Sequence, residues 1–121
     1  MEQFTIQQVA AITGFSVHTL RYYEHIGIIT PVERATNGHR RYSTADVNRI
    51  ILLKQLIATR MPLEHVRRYA QLVTQGDSSI HEREAILQAH RERVVQQIEE
   101  LRRTLTLFDS MLASNRARTD V

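Results

Sequence analysis

The chain has 121 residues, 42% hydrophobic and 24% charged, which suits one small soluble domain with an appendage. It has no cysteine, which excludes disulfides, thiolate metal sites and a cysteine nucleophile, and no apolar run is long enough to span a bilayer. The net charge is +3, and of the 16 basic residues only Lys54 is a lysine; the rest are arginine, the side chain best matched to phosphates and guanine edges.

At the start, Met1-Glu2-Gln3-Phe4 has neither the basic opening nor the apolar core of a signal peptide, so a cytoplasmic location is expected. Thr5-Ile6-Gln7-Gln8 has capping-box spacing, and Ile6, Val9 and Ala10 follow at helical spacing up to Gly14. Ser16 suits the N-cap of a second helix running to about Ile26, with Gly27 placed for a left-handed C-cap and Ile28 as the apolar residue beyond it. Two short helices around Thr13-Gly14-Phe15 predict a helix-turn-helix. In the second helix Val17, Leu20 and Tyr23 are expected to face inward. His18, Thr19, Arg21, Tyr22 and His25 are expected to face outward or sideways, offering hydrogen bonds to bases and phosphates.

From Ile29 to Tyr42 the helical period stops. Asn37-Gly38 suits a tight hairpin turn, and His39-Arg40-Arg41-Tyr42 then supplies a basic return strand, the pattern of a wing lying along a phosphate backbone. A solvated helix or a charged surface hairpin would share either feature alone; their coincidence favours nucleic acid. Ser43 or Thr44 caps a third helix, expected to be largely buried through Val47, Ile50, Ile51, Leu53, Leu56 and Ile57. Pro62 opens a fourth, with Leu63, Val66, Tyr69, Ala70 and Val73 as its apolar stripe and Gly76 at its end.

The last segment, about Ile80 to Ala113, repeats every seven residues. Ile80, Leu87, Val94, Leu101 and Phe108 are all apolar; in the interleaved series Glu84, Arg91, Ile98, Leu105 and Leu112, the misfits fall at the N-terminal end. That is a coiled-coil seam with a polar start, roughly 50 Å long. It is expected to pair with a copy of itself and give a twofold dimer with two DNA-reading heads. A helix folded back over its own domain is the competing arrangement. No paired carboxylates, glycine-rich phosphate loop or nucleophile motif point to an enzyme. The alternative from another class is a coiled-coil interaction module without sequence-specific DNA binding.

Leu20-Arg21-Tyr22-Tyr23-Glu24, then Gly27-Ile28-Ile29, Pro31 and Gly38-His39-Arg40-Arg41-Tyr42, resemble the signature of MerR-type transcriptional regulators, and the resemblance runs through the later helices. It implies an all-α fold with a small β-hairpin wing: a winged helix-turn-helix over 1–76, a long antiparallel coiled-coil dimerisation helix over 77–113, and a short disordered tail over 114–121. It further implies a homodimer on a pseudo-palindromic promoter of double-stranded DNA, shared with RNA polymerase, whose overlong spacer the dimer bends and untwists.

The DNA-binding positions carried over are Thr19, Arg21, Tyr22 and Tyr23 on the recognition helix, Arg40, Arg41 and Tyr42 on the wing, and Lys54 on the third helix for backbone contact, with Arg60 as a weaker second-wing candidate. The dimerisation positions are Leu87, Val94, Ile98, Leu101, Leu105, Phe108 and Leu112. Tyr69 to Asp77 and Ile86-Leu87 with His90-Arg91 resemble the branch linked to aldehyde and electrophile stress, whose thiol-dependent members carry a cysteine on the third helix; Gln55 stands near that place here. Thiol sensing is therefore absent, and the effector is not legible. His81, Asp77 and Glu84 lie close to where metal-sensing members hold a ligand, but His81, Glu84 and His90 lack the spacing that puts ligands on one helical turn, so no metal or cofactor is expected.

Overall fold

The computed structural model describes residues 2–30, 38 and 41–120, and the chain divides into two units, Met1–Glu84 and Ala85–Val121. In chain order the elements are β1 (Gln3–Phe4), α1 (Ile6–Thr13), α2 (Val17–His25), β2 (Tyr42–Ser43), α3 (Thr44–Ala58), α4 (Leu63–Thr74), a 3-10 turn (Gly76–Ser79) and α5 (Ile80–Thr119).

Local chemistry sets the ends of the helices in the first unit. Thr5 and Gln8 close the expected capping box: the Gln8 amide donates to Thr5 Oγ1 at 3.2 Å, and the Thr5 amide donates to Gln8 Oε1 at 2.8 Å. Ser16 Oγ accepts from the Thr19 amide at 3.0 Å and starts α2. Past α2, Gly27 sits at φ +83°, where the Ile28 amide reaches back to the Tyr23 carbonyl at 2.9 Å and the Gly27 amide to the Glu24 carbonyl at 3.3 Å. This is a Schellman ending, and it turns Ile28 into the core.

The two strands are two residues each and pair antiparallel, Gln3 with Ser43 and Phe4 with Tyr42. The sequence reading missed this pairing. The hairpin it expected at Thr36-Asn37-Gly38 lies outside the described residues except for Gly38, which is exposed with φ +83°. Ser43 also caps α3, its Oγ accepting from the Asp46 amide at 3.1 Å while Asp46 Oδ2 accepts from the Ser43 amide at 2.8 Å.

The core lies in the first unit, and nearly every element of it contributes: Val9 from α1, Leu20 from α2, Ile28 after it, Tyr42 from β2, Ile50 from α3, Val66 and Leu72 from α4. The burial expected of α3 is confined to Val47, Ile50, Leu53 and Leu56; Ile51 and Leu52 are exposed, because a helix that buries residues three apart turns the intervening ones outward. Leu63, expected in the stripe of α4, is exposed at the first position of the helix, although it stands three residues before the buried Val66. The end of α4 is tied to the start of α5 by Ser79 Oγ, which donates to the Leu72 carbonyl at 2.5 Å, and by the Arg68–Glu82 ion pair at 2.8 Å.

The joint between α3 and α4 is strained. Arg60 has φ +71°, the one positive value at a non-glycine among the described residues. It occupies the left-handed position of a second Schellman ending, with the Met61 amide donating to the Leu56 carbonyl at 2.9 Å and the Arg60 amide to the Ile57 carbonyl at 3.0 Å. A Cβ in that conformation costs about 1–2 kcal/mol. Arg60→Gly is expected to raise unfolding stability by about 0.5–1 kcal/mol, the gain being trimmed by the greater freedom of glycine in the unfolded chain. Urea denaturation measures it, and a loss of stability would mean that the Arg60 side chain itself holds the joint.

Of α5, only His90 is buried among the described residues, and burial, followed by the neighbouring Arg93 charge, lowers its pKa below the usual histidine value. The helix runs through Thr119, so 114–119, expected as a disordered tail, are helical. Nothing from 77 onward is glycine or proline, and Ala-Arg-rich residues extend a helix readily. Among the described residues no helix is long and apolar enough to cross a membrane.

Candidate nucleic-acid interface

Positions i, i+3, i+4 and i+7 of a helix share one face. On α2 these positions are His18, Arg21, Tyr22 and His25, and all four are exposed. Tyr22 leaves 52% of its surface in solvent. Leu20 fixes the opposite face in the core. Thr19 stands at the margin, half-buried, its hydroxyl accepting from Ser16 Oγ at 2.9 Å. It therefore holds the cap as well as bordering the exposed face.

Tyr23 is half-buried and acts as a bracket. Its ring meets Phe15 edge to face, centroids 5.5 Å apart at 79°, and leans on Tyr22 at 5.9 Å. Phe15 belongs to the turn between α1 and α2, so the exposed tyrosine is supported from the turn through two rings. Thr13 braces the same turn, its hydroxyl donating to the Val9 carbonyl at 2.8 Å and accepting from the Phe15 amide at 3.3 Å.

Lys54 was expected to contact a nucleic-acid backbone. On α3 it is half-buried; its ammonium donates to the Thr13 carbonyl at 2.5 Å and lies 5.5 Å from the centroid of the Phe15 ring. Sequence reasoning had no signal for this contact, since the partners are 41 residues apart and neither shows a local pattern.

Arg40 lies outside the described residues, and Arg41 is half-buried. Tyr42, expected on the wing surface, is corrected: its side chain is 0% exposed and belongs to the core. With Tyr42 in the core, only Arg41 of the two retains surface to present to a ligand. Asp77, His81 and Glu84 are each exposed, and no three His, Asp or Glu side chains gather for a metal among the described residues.

On α5 the proposed seam divides by exposure. Leu87 and Val94 are half-buried, whereas Ile98, Leu101, Leu105, Phe108 and Leu112 stand in solvent, Leu101 at 65%. Leu107 and Met111 are exposed as well, one turn apart and off the seven-residue repeat.

A family model described as MerR HTH family regulatory protein matches residues 4–72. An uncharacterised HTH-type transcriptional regulator of Haemophilus influenzae is 34% identical over 91% of this chain and 82% of its own length. The HTH-type transcriptional regulator AdhR of Bacillus subtilis is 36% identical over 75% of this chain, which spans 65% of it. Among solved structures, HiNmlR, a MerR family regulator lacking the sensor domain and bound to promoter DNA, superposes with a TM-score of 0.85 at 34% identity, over 93% of this chain and 89% of that one.

Proposed function

The chain belongs to the MerR family of helix-turn-helix regulatory proteins, and on that premise we propose that it binds a pseudo-palindromic promoter as a homodimer and distorts the spacer DNA to control transcription. It is a transcriptional regulator and not an enzyme. The observation that carries the DNA-binding reading is the exposed face of His18, Arg21, Tyr22 and His25, on a helix capped at both ends and braced from the turn. The likeness to a regulator bound to promoter DNA supports it. Arg21 and Tyr22 read base edges, with Thr19 at the margin; Tyr23 packs beneath them; Arg40 and Arg41 clamp phosphates from the wing. RNA polymerase is the co-occupant of the promoter.

Homodimerisation rests on α5. Ile98, Leu101, Leu105, Phe108 and Leu112 follow one another at four- and three-residue steps, all exposed in the single chain. Covering them in two chains would contribute on the order of 10 kcal/mol before the costs of association. The DNA-binding domain over 1–76 and the dimerisation helix beyond it would then act as head and clasp. A coiled-coil module without DNA binding is not favoured, since it leaves the face of α2 unexplained.

The test is fluorescence anisotropy with a duplex selected by the protein from a random pool, against a scrambled duplex. The selected sequence is expected to contain an inverted repeat, to bind two protomers, and to lose affinity steeply with salt as neutralised phosphates release counterions. Equal affinity for both duplexes would sink the reading.

A further inference from the structure

Thr13 is the last residue of α1, where carbonyl groups lack an intrahelical partner and the helix dipole is negative. The Lys54 ammonium supplies both a donor and a positive charge there, at 2.5 Å from the Thr13 oxygen. The same ammonium faces the Phe15 ring at 5.5 Å, within cation–π range. Phe15 meets Tyr23, and Tyr23 meets Tyr22 on the exposed face of α2. One ammonium on α3 is thus linked through three rings to the surface that α2 presents.

The slot that receives it is narrow. Gly14 has φ +82°, and a Cβ built there would stand 2.6 Å from Lys54 Nζ. The compact ammonium occupies this slot, and the larger planar guanidinium of an arginine at position 54 is expected to crowd the turn.

We propose that Lys54 is a positioning residue for DNA recognition: it clamps the Thr13-Gly14-Phe15 turn, and through Phe15 and Tyr23 sets the pose of α2, instead of meeting a phosphate. The Thr13 carbonyl takes one of the three ammonium donors and the Phe15 ring lies against another side of it, on a side chain that is already half-buried. The proposal rests on reading α2 as the DNA-contacting helix, and it departs from the backbone contact that the family resemblance implied for Lys54.

Three variants separate the two roles: Lys54→Met removes the charge, Lys54→Arg keeps it, and Phe15→Leu removes the ring without touching Lys54. Each is titrated on the selected and scrambled duplexes over a range of salt. Every variant, Lys54→Arg included, is expected to lose about 10-fold in affinity for the selected duplex, the scale of a lost charge-assisted hydrogen bond or its supporting contact. Affinity for the scrambled duplex is expected to stay within about 2-fold and the salt slope to be unchanged, because no phosphate contact is removed. The Lys54→Met, Phe15→Leu double variant should be little worse than either single one. Full retention of affinity by Lys54→Arg, or a Lys54→Met loss shared by both duplexes with a slope shallower by about 0.9 per phosphate, overturns the clamp.

An arm without DNA keeps the proposal separate from the reading beneath it. In the free protein, Lys54→Met or Phe15→Leu is expected to shift the amide resonances of residues 14–23 and weaken their hydrogen-exchange protection while leaving α4 unchanged. Unmoved α2 amides refute the clamp whatever the DNA result. Wild-type protein that fails to discriminate the duplexes refutes the DNA reading and leaves this arm to decide the clamp.

Discussion

Leu101→Asp is expected to split the protein into monomers and lower affinity for the selected duplex by at least two orders of magnitude. Leu101 is the most exposed member of the apolar run on α5, with Ile98 and Leu105 one turn to either side. A carboxylate placed there in both chains would have to enter the paired surface without a partner, at several kcal/mol for each chain. Loss of pairing converts two linked half-site contacts into independent ones, and linkage of this kind is worth roughly 10²–10⁴ in affinity. Because Leu101 is exposed in the single chain and lies outside the first unit, the melting of that unit should be unchanged. Sedimentation velocity reports the mass directly, and a dimer persisting at low micromolar concentration would place the pairing surface elsewhere, with Leu107 and Met111 the next positions to test.

Arg21→Ala carries the second large effect. Arg21 stands on the exposed face of α2 between His18 and His25, and among the described residues no hydrogen bond or ion pair within the chain is recorded for its guanidinium. Its five donors in a planar fork match the paired acceptors of guanine, and a bidentate contact of that sort is worth about 1–3 kcal/mol of discrimination, roughly 5- to 150-fold. The expected result is a loss of that size on the selected duplex, a small loss on scrambled DNA, and relaxed preference at one base pair in each half-site. Anisotropy titrations on a panel of single-base variants locate that base pair. Equal loss on every sequence, with a shallower salt slope, would assign Arg21 to phosphate contact.

The parts of the fold legible in the sequence were those decided within a few residues. The Thr5–Gln8 capping box, the Ser16 cap and the Gly27 ending are local exchanges between a side chain or a left-handed residue and the nearest backbone, so their spacing declares them. The exposed face of α2 was legible for the same reason, through the helical period. Contacts that join distant segments were not. The β1–β2 ladder has only two residues on each side, too short for an alternating pattern to register. His39-Arg40-Arg41-Tyr42 read as a single basic strip, whereas Tyr42, paired with Phe4 in the ladder, enters the core while Arg41 just before the strand stays half-buried. Lys54 looked like any basic residue on a helix, and its meaning depends on a carbonyl and a ring that only the folded chain brings to it. The left-handed Arg60 carried no warning either, because the sequence there has no glycine to mark the turn.

Ser43 serves two neighbours at once, closing the ladder with Gln3 and starting α3. The opening residues are therefore part of the framework from which the third helix departs. This constrains how chimeric regulators can be assembled. A breakpoint anywhere between residues 5 and 41 draws the two strands from different parents and demands that they match. Exchanges that carry 3–43 as one cassette keep the ladder intact, and then have to match α3 and α4 through the core residues Val9, Leu20, Ile28 and Tyr42 and the turn that meets Lys54.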